Sequence, residues 1–400
     1  MVPNGWEKSP VGKLCKSIVP GRNKPKVFDG DIPWVTTPEI SGKYIPSAKQ
    51  KNYISQSVAK ECGAKIVPKG AVIIAAVGEL GLTAIAKEEI ILNQQLHAFV
   101  CPPNVNNEYL AYFLSAQKPY MDTVASKTTI PYMNKSNCES IPVLLPPLPE
   151  QRKIAQILST WDKAIATTEK LIDTSKQQKK ALMQQLLTGK KRLVDSETGK
   201  AFEGDWENVS LKKLISEVKK TKEIEPNIIE LLTVKLHHKG VKASGKYPNA
   251  TKGGRPYYKR YTGELIIGRQ NLHNGGIAIV TEECDGLIAS NAISSFEVTS
   301  IADVQFILNK MSTAHFIYTI DNLTGGTGQK EISVKELLKI KISTPSITEQ
   351  QKIASVLTAA DKDIELLEAK LAHLKQEKKA LMQQLLTGKR RVKVTETEAA

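Results

Sequence analysis

Few residue patterns in this 400-residue chain could carry covalent chemistry. Gly325-Gly326-Thr327-Gly328-Gln329-Lys330 has the composition of a phosphate-cradling loop, but not the G-x-x-x-x-G-K-[ST] spacing that sets backbone amides and a lysine around phosphate. Gly78-Glu79-Leu80-Gly81 is too short for a dinucleotide fingerprint and reads as a turn between strands. His237-His238 has no third ligand at metal spacing and reads as a loop pair. Cys15, Cys62, Cys101, Cys138 and Cys284 are odd in number, scattered and without a CxxC, so neither a disulfide framework nor a zinc site is indicated. The chain also lacks the Asn/Asp-Pro-Pro-Tyr/Phe tetrad that holds an extruded base for amino-methylation, and no carboxylate pair stands near a Glu-x-Lys as in a nuclease centre. These absences favour a binding protein.

The residue types for binding nucleic acid are present. Lys+Arg number 56 against 41 Asp+Glu, a net charge of +15 that attracts polyanions. In the first half the candidate contacts are Arg22, Asn23, Lys24 and Lys26 in one loop, and Lys127, Thr128, Tyr132, Asn134 and Lys135 in another. In the second half they are His237, His238 and Lys239; Lys252, Arg255, Tyr257, Lys259 and Arg260; Arg269, Gln270 and Asn271; and Gln329 with Lys330. Lys and Arg neutralise phosphates, whereas Arg, Asn, Gln and His can pair with base edges. The reading rests on the number of such loops and on their presence in both halves.

The elements that must position these loops are set by a repeat. KKALMQQLLTGK occupies 179–190 and recurs letter for letter at 378–389. Extended without gaps, 150–192 runs against 349–391 at a constant offset of 199, so Glu150-Gln151 meets Glu349-Gln350. Within the first copy Ile154, Leu158, Trp161, Ile165, Ile172, Leu182 and Leu186 recur at spacings that make a coiled-coil seam. Thr168, Ser175 and Lys179 weaken it. The second copy is stronger, with Ile353, Leu357, Ile364, Leu367, Leu371, Leu374, Leu381 and Leu385, which suggests that the two helices pair with each other. Gly189 stops the first helix, and the proline-rich 141–149 segment keeps it from starting before Glu150.

Trp6-Glu7 and Leu14 correspond to Trp206-Glu207 and Leu214, so the duplication includes the globular parts. The glycine-bounded apolar run 72–77 reads as a buried strand, and 263–280 resembles 70–86 in its order of runs and turns. A looser match links 93–99 to 290–296. The expected fold is α+β: two similar mixed domains separated by two long helices in an antiparallel coiled coil, a pseudo-two-fold internal repeat. The expected parts are 1–149, helix 150–190, connector 191–205, 206–348, helix 349–389 and tail 390–400.

Length alone gives two to three domains. No apolar run reaches the roughly 18–20 residues of a membrane span, and the N-terminus lacks a signal-peptide core, so a soluble cytoplasmic protein is expected.

LPPLPEQRKIAQIL (145–158), its echo STPSITEQQKIASVL (343–357), the two KKALMQQLLTGK endings and Asn93-Gln94-Gln95-Leu96 resemble the specificity subunits of type I restriction-modification systems. The likeness covers essentially the whole chain; Ser346-Ile347-Thr348 departs from the Pro147-Leu148-Pro149 pattern while keeping the helix start. The resemblance implies two target-recognition domains, each reading one half of a split double-stranded DNA sequence, on a subunit that is not itself catalytic. It also implies two modification subunits that bind S-adenosylmethionine and methylate adenine, and restriction subunits that use ATP and Mg; no cofactor is expected in this chain. A helix over 150–188 is about 58 Å long at about 1.5 Å per residue, roughly 17 base pairs of DNA, so the pair could serve as a ruler. The competing readings are an autonomous methyltransferase or nuclease, and a coiled-coil adaptor that binds DNA without regard to sequence.

Overall fold

The computed structural model describes residues 2–21, 23–46, 51–195, 197–249, 254–324 and 331–394. Two compact units make up the chain: Met1–Glu169 with Ala369–Ala400, and Lys170–Glu368. Each contains one globular domain and about half of each of two long helices, Leu148–Leu186 and Ile347–Leu385.

In the first unit, strand Leu96–Val100 lies between Lys16–Ile18 and Val72–Ala75, and Val72–Ala75 pairs onward with Thr83–Ala86, all antiparallel. Every residue of Val72–Ala75 is buried, as expected of an apolar run held between two glycines. A second sheet orders Tyr53–Ile54, Ile32–Val35, Ile90–Leu92 and Ile66–Val67. Helix Asn107–Ser115 buries Tyr109 to Leu114 and packs on Thr83–Ala86 and Val72–Ala75. Its core continues into Ile154, Ala155 and Leu158 of the first long helix and Leu385 and Leu386 at the end of the second. The helices are therefore part of the domain core.

The second unit repeats this order. Ile293–Val298 lies between Ile215–Glu217 and Leu265–Gly268, which pairs with Ile277–Ile279. The three matches read from sequence thus fall on equivalent strands. The second sheet of the first unit has its counterpart in two antiparallel pairs, Leu232–Val234 with Val241–Ala243 as Ile32–Val35 with Tyr53–Ile54, and Tyr257–Lys259 with Ile288–Ser290 as Ile66–Val67 with Ile90–Leu92. Ile353, Ala354 and Leu357 meet Leu186 and Leu187 in this core.

The first long helix begins at Leu148, ahead of the predicted Glu150. Pro149 sits in the first turn, where its missing N–H removes no intrahelical bond. Within the first unit Lys375 pairs with Glu169 at 2.7 Å and Lys378 with Asp162 at 2.5 Å. Within the second, Lys176 pairs with Glu368 at 2.6 Å, and Lys179 pairs with Asp361. Numbers rise along one helix as they fall along the other, so the helices are antiparallel, and each pair recurs at the 199-residue offset. Ile154, Leu158, Ile172, Leu186, Ile353, Leu357, Ile364 and Leu385 of the seam are buried, and the other seam residues are partly covered. Thr168 is buried too, because its hydroxyl donates to the Ala164 carbonyl at 2.8 Å and needs no other partner. Among the described residues no helix is long and apolar enough to cross a membrane.

The repeated Glu-Gln has a structural cause. Gln151 donates to the carbonyls of Pro146 and Asn104 and accepts from the Asn106 N–H. Gln350 does the same with Pro345, Ile301 and Asp303. Buried Glu150 is gripped by Arg391, and buried Glu349 by Arg192. Each carboxylate sits in the first turn of its helix, where the helix dipole also favours negative charge.

Candidate nucleic-acid interface

In the first unit Asn23, Lys24 and Lys26 are exposed on the loop before Ile32–Val35, while Arg22 lies outside the described residues. The Lys24 ammonium is 6.0 Å from the Trp34 ring, which packs on Phe28 at 5.4 Å. This loop borders a concavity of about 570 Å³ whose other wall is Asn52 and Asn93-Gln94-Gln95. The Gln95 N–H donates to Asn93 Oδ1, which fixes the Asn93 amide. Asn93 Nδ2 must then donate to Gln95 Oε1, and Thr37 adds a second donor there. Gln95 is consequently oriented with its NH₂ group as the end left to meet a hydrogen-bond acceptor. Sequence reading used Asn93 to Leu96 only as a family mark and missed Gln95 as a site residue. The signal that could have found it was a run of carboxamides just ahead of a buried strand.

The second loop is more constrained than its composition suggests. The Thr128 hydroxyl donates to the Ile130 carbonyl, and Tyr132 is anchored through Ser126. Asn134 caps the helix Lys135–Glu139 through the Asn137 N–H, and Lys135 is paired with Glu139 at 3.5 Å. Lys127, Ile130 and the ring of Tyr132 are among the groups it presents to solvent.

In the second unit His237 and His238 form the tip between Leu232–Val234 and Val241–Ala243, both at positive φ (59° and 55°). Their backbone N–H groups donate to the carbonyls of Asn274 and Gly275. The His238 ring rests against Gly275, where an added Cβ would come within 2.8 Å of it. Partial burial, then the neighbouring His237 and Lys179 charges, lower its pKa. His237, His238 and Lys239 all keep exposed surface.

Arg260 corrects the sequence reading. Its side chain is 1% exposed and donates to the Ile293 carbonyl at 2.7 Å and the Lys259 carbonyl at 3.2 Å, so it cannot reach a phosphate. Buried Glu264, which accepts from Ser295, supplies the opposing charge. Three neighbouring candidates are engaged within the chain while keeping some exposure. Lys259 pairs with Glu223 at 3.0 Å, Arg269 is held by Glu331 at 2.9 Å, and Gln270 reaches the same carboxylate at 3.4 Å. Arg255 and Asn271 are exposed, and Tyr257 is half-buried in its strand. Lys252, Gln329 and Lys330 lie outside the described residues.

Fold and loops together define a duplicated two-domain protein with a polar, cation-bearing loop set in each half. Residues 3–176 and 203–376 each match the type I restriction modification DNA specificity domain, and the chain belongs to that family. The type I restriction enzyme MjaVIII specificity subunit of Methanocaldococcus jannaschii is 28% identical over 413 residues, covering 98% of this chain and 94% of the relative. The putative MjaX specificity subunit of the same organism is 29% identical over 77% of this chain and 74% of its own length. The crystal structure of a type I S subunit from M. genitalium shares the fold, with a TM-score of 0.57 at 15% identity over 96% of this chain and 98% of that one. A chain from a structural study of type I complex assembly and conformational transition gives 0.56 at 17% identity over 98% and 100%.

Proposed function

We propose that this chain is the DNA-specificity subunit of a type I restriction-modification complex, with each globular domain reading one half of a bipartite double-stranded target. The observation that carries the proposal is the duplication itself: one sheet order and one set of helix contacts occur twice, and a divergent polar loop set rides on each copy. Exposed Lys24, Lys127, Lys239 and Arg255 would hold phosphates, and carboxamides such as those of Asn23, Gln95 and Asn271 would meet base edges. The long helices set the distance between half-sites, and their solvent-facing sides dock two modification subunits. S-adenosylmethionine, ATP and Mg belong to the modification and restriction subunits, and this chain contributes recognition without catalysis.

Co-expression with the neighbouring methyltransferase, followed by methylome sequencing, tests the proposal. Adenine methylation at one split motif is expected. Methylation at no split motif, or DNA affinity that changes with salt but not with sequence, would sink it in favour of an adaptor.

A further inference from the structure

The register between Leu96–Val100 and Lys16–Ile18 sets Ala98 opposite Ile18, Phe99 opposite Ser17 and Val100 opposite Lys16. One further step along both strands brings Cys101 opposite Cys15. Cys15 follows the short helix Val11–Leu14 in extended geometry, φ −130° and ψ 148°, so the backbone leads straight from it into the paired strand. The two sulfurs lie close enough to shift each other's pKa in opposite directions. Directly opposed residues of an antiparallel pair have Cα atoms about 4.5–5.5 Å apart, inside the range of about 4.4–6.8 Å that a disulfide spans.

Access differs between the two sulfurs. Cys15 is buried, whereas Cys101 is half-buried and lines a cleft of about 260 Å³ that Lys69 and Arg152 also line. Beside Cys101 the Cys15 pKa is lowered, while that of Cys101 is raised by Cys15 and by burial. The second domain supplies an internal comparison. Ile215 follows helix Leu211–Leu214 with φ −134° and ψ 147°, and it pairs with Val298. An aliphatic pair fills the equivalent place there, so packing at this position does not require sulfur.

We propose that Cys15 and Cys101 are a peroxide-oxidisable dithiol that closes to a reversible disulfide across the sheet of the first domain. Hydrogen peroxide oxidises one thiol to a sulfenic acid and leaves as water. The second sulfur then displaces hydroxide from the first, and its proton departs with that hydroxide as a second water. Two thiols and one peroxide thus give one disulfide and two waters. A low-molecular-weight thiol entering the basic cleft reverses the step by exchange, itself becoming oxidised. The inference is independent of the DNA-reading proposal, and it confines the response to the domain that carries the thiols.

The test treats the full chain with a few molar equivalents of hydrogen peroxide, blocks remaining thiols and maps the cysteines by mass spectrometry. The expected product is a Cys15–Cys101 linked peptide, with Cys62, Cys138 and Cys284 alkylated, and dithiothreitol added before the block should restore alkylation of all five cysteines. Cys101→Ser should lose no thiols at the same dose. The double change Cys15→Ile with Cys101→Val, borrowed from the second domain, should fold and be inert to peroxide. Cys101 reaching sulfinic acid with no linked peptide would overturn the proposal. So would linkage to a different cysteine, or equal thiol loss in Cys101→Ser or in the double variant.

Discussion

Glu150 and Arg391, 241 positions apart, meet in a two-pronged ion pair, with Nε 2.7 Å from Oε1 and Nη2 2.8 Å from Oε2. The Trp6 indole N–H donates to the same carboxylate at 3.0 Å, and Arg391 Nη1 donates to the Asn4 carbonyl at 2.9 Å. The start of one long helix, the end of the other and the N-terminal segment are thus closed at one buried acid. In the second unit Arg192 repeats the grip on Glu349 and donates to the Gly204 carbonyl. Trp206, the counterpart of Trp6, has its indole N–H buried without a partner among the described residues, and Lys310 lies over its ring at 5.1 Å.

Arg391→Ala should leave the Glu150 carboxylate buried and unpaired, destabilising the first unit by about 3 kcal/mol, the low end for such losses because Arg391 itself is half exposed. Thermal melting of the variant, of Glu150→Ala and of the double variant gives the coupling. The double variant should be less destabilised than the sum of the singles, and simple additivity would show that the two side chains are not coupled.

Gly189 and Gly388, the glycines of the two LTGK endings, have φ of +71° and +68°. An added Cβ at Gly388 would fall 2.3 Å from Pro3 Cγ, whereas at Gly189 the nearest atom is a Trp206 ring carbon at 3.3 Å. Alanine at either should cost about 1 kcal/mol from the left-handed backbone. Gly388→Ala should cost clearly more because Pro3 must move. Denaturation curves that rank Gly189→Ala as the worse change would contradict this.

His97 is buried, accepts or donates a 2.7 Å hydrogen bond with Ser17, and has its pKa lowered from 6.5 to about 4, chiefly by burial. The folded state therefore holds it neutral while the unfolded chain takes up a proton below 6.5. Its contribution is full above pH 6.5 and is lost as pH falls towards 4, amounting to about 3 kcal/mol at most. Urea titrations of the parent and of His97→Gln between pH 7 and pH 4 should show a shallower loss in the variant, and identical slopes would exclude His97 as the cause.

Much of this architecture could be read from spacing alone. The helix seam, the Glu-Gln starts and the glycine stops are local patterns, and local patterns survive duplication unchanged. What stayed hidden depends on partners far along the chain. Arg260 looks like a phosphate ligand because arginine is usually exposed, and nothing nearby in sequence reveals the Ile293 carbonyl that receives it. Arg269 and Gln270 look available until Glu331 is brought beside them. Lys179 looks like a flaw in the seam, yet its ammonium reaches Asp361 on the opposite helix while its stem covers apolar surface.

The exposed and buried cations should part company in the assembled complex. Lys24→Ala and Lys127→Ala should each weaken DNA binding for all sequences and leave the methylated motif unchanged. The slope of log K against log salt should fall by about 0.9 for each phosphate that is no longer neutralised. Arg260→Met should leave that slope alone and instead destabilise the second unit by about 2 kcal/mol, through two buried carbonyls left without their side-chain donor. A reduced salt slope for Arg260→Met at intact stability would return it to the interface.

If the long helices set the spacer as proposed, they can be lengthened at the boundary between the units. The division between units falls at Glu169/Lys170 on one helix and Glu368/Ala369 on the other, and each cross-helix ion pair belongs to one unit alone. Inserting four residues at both points adds about one helical turn, or about 6 Å, while keeping the seam nearly in phase. Because a base pair rises about 3.4 Å, the unread spacer should grow by one to two base pairs, and both half-sites should keep their sequence. Methylome sequencing reads spacer and half-sites together. A lengthened helix pair that methylates the original motif would show that spacer length is set by something other than these helices.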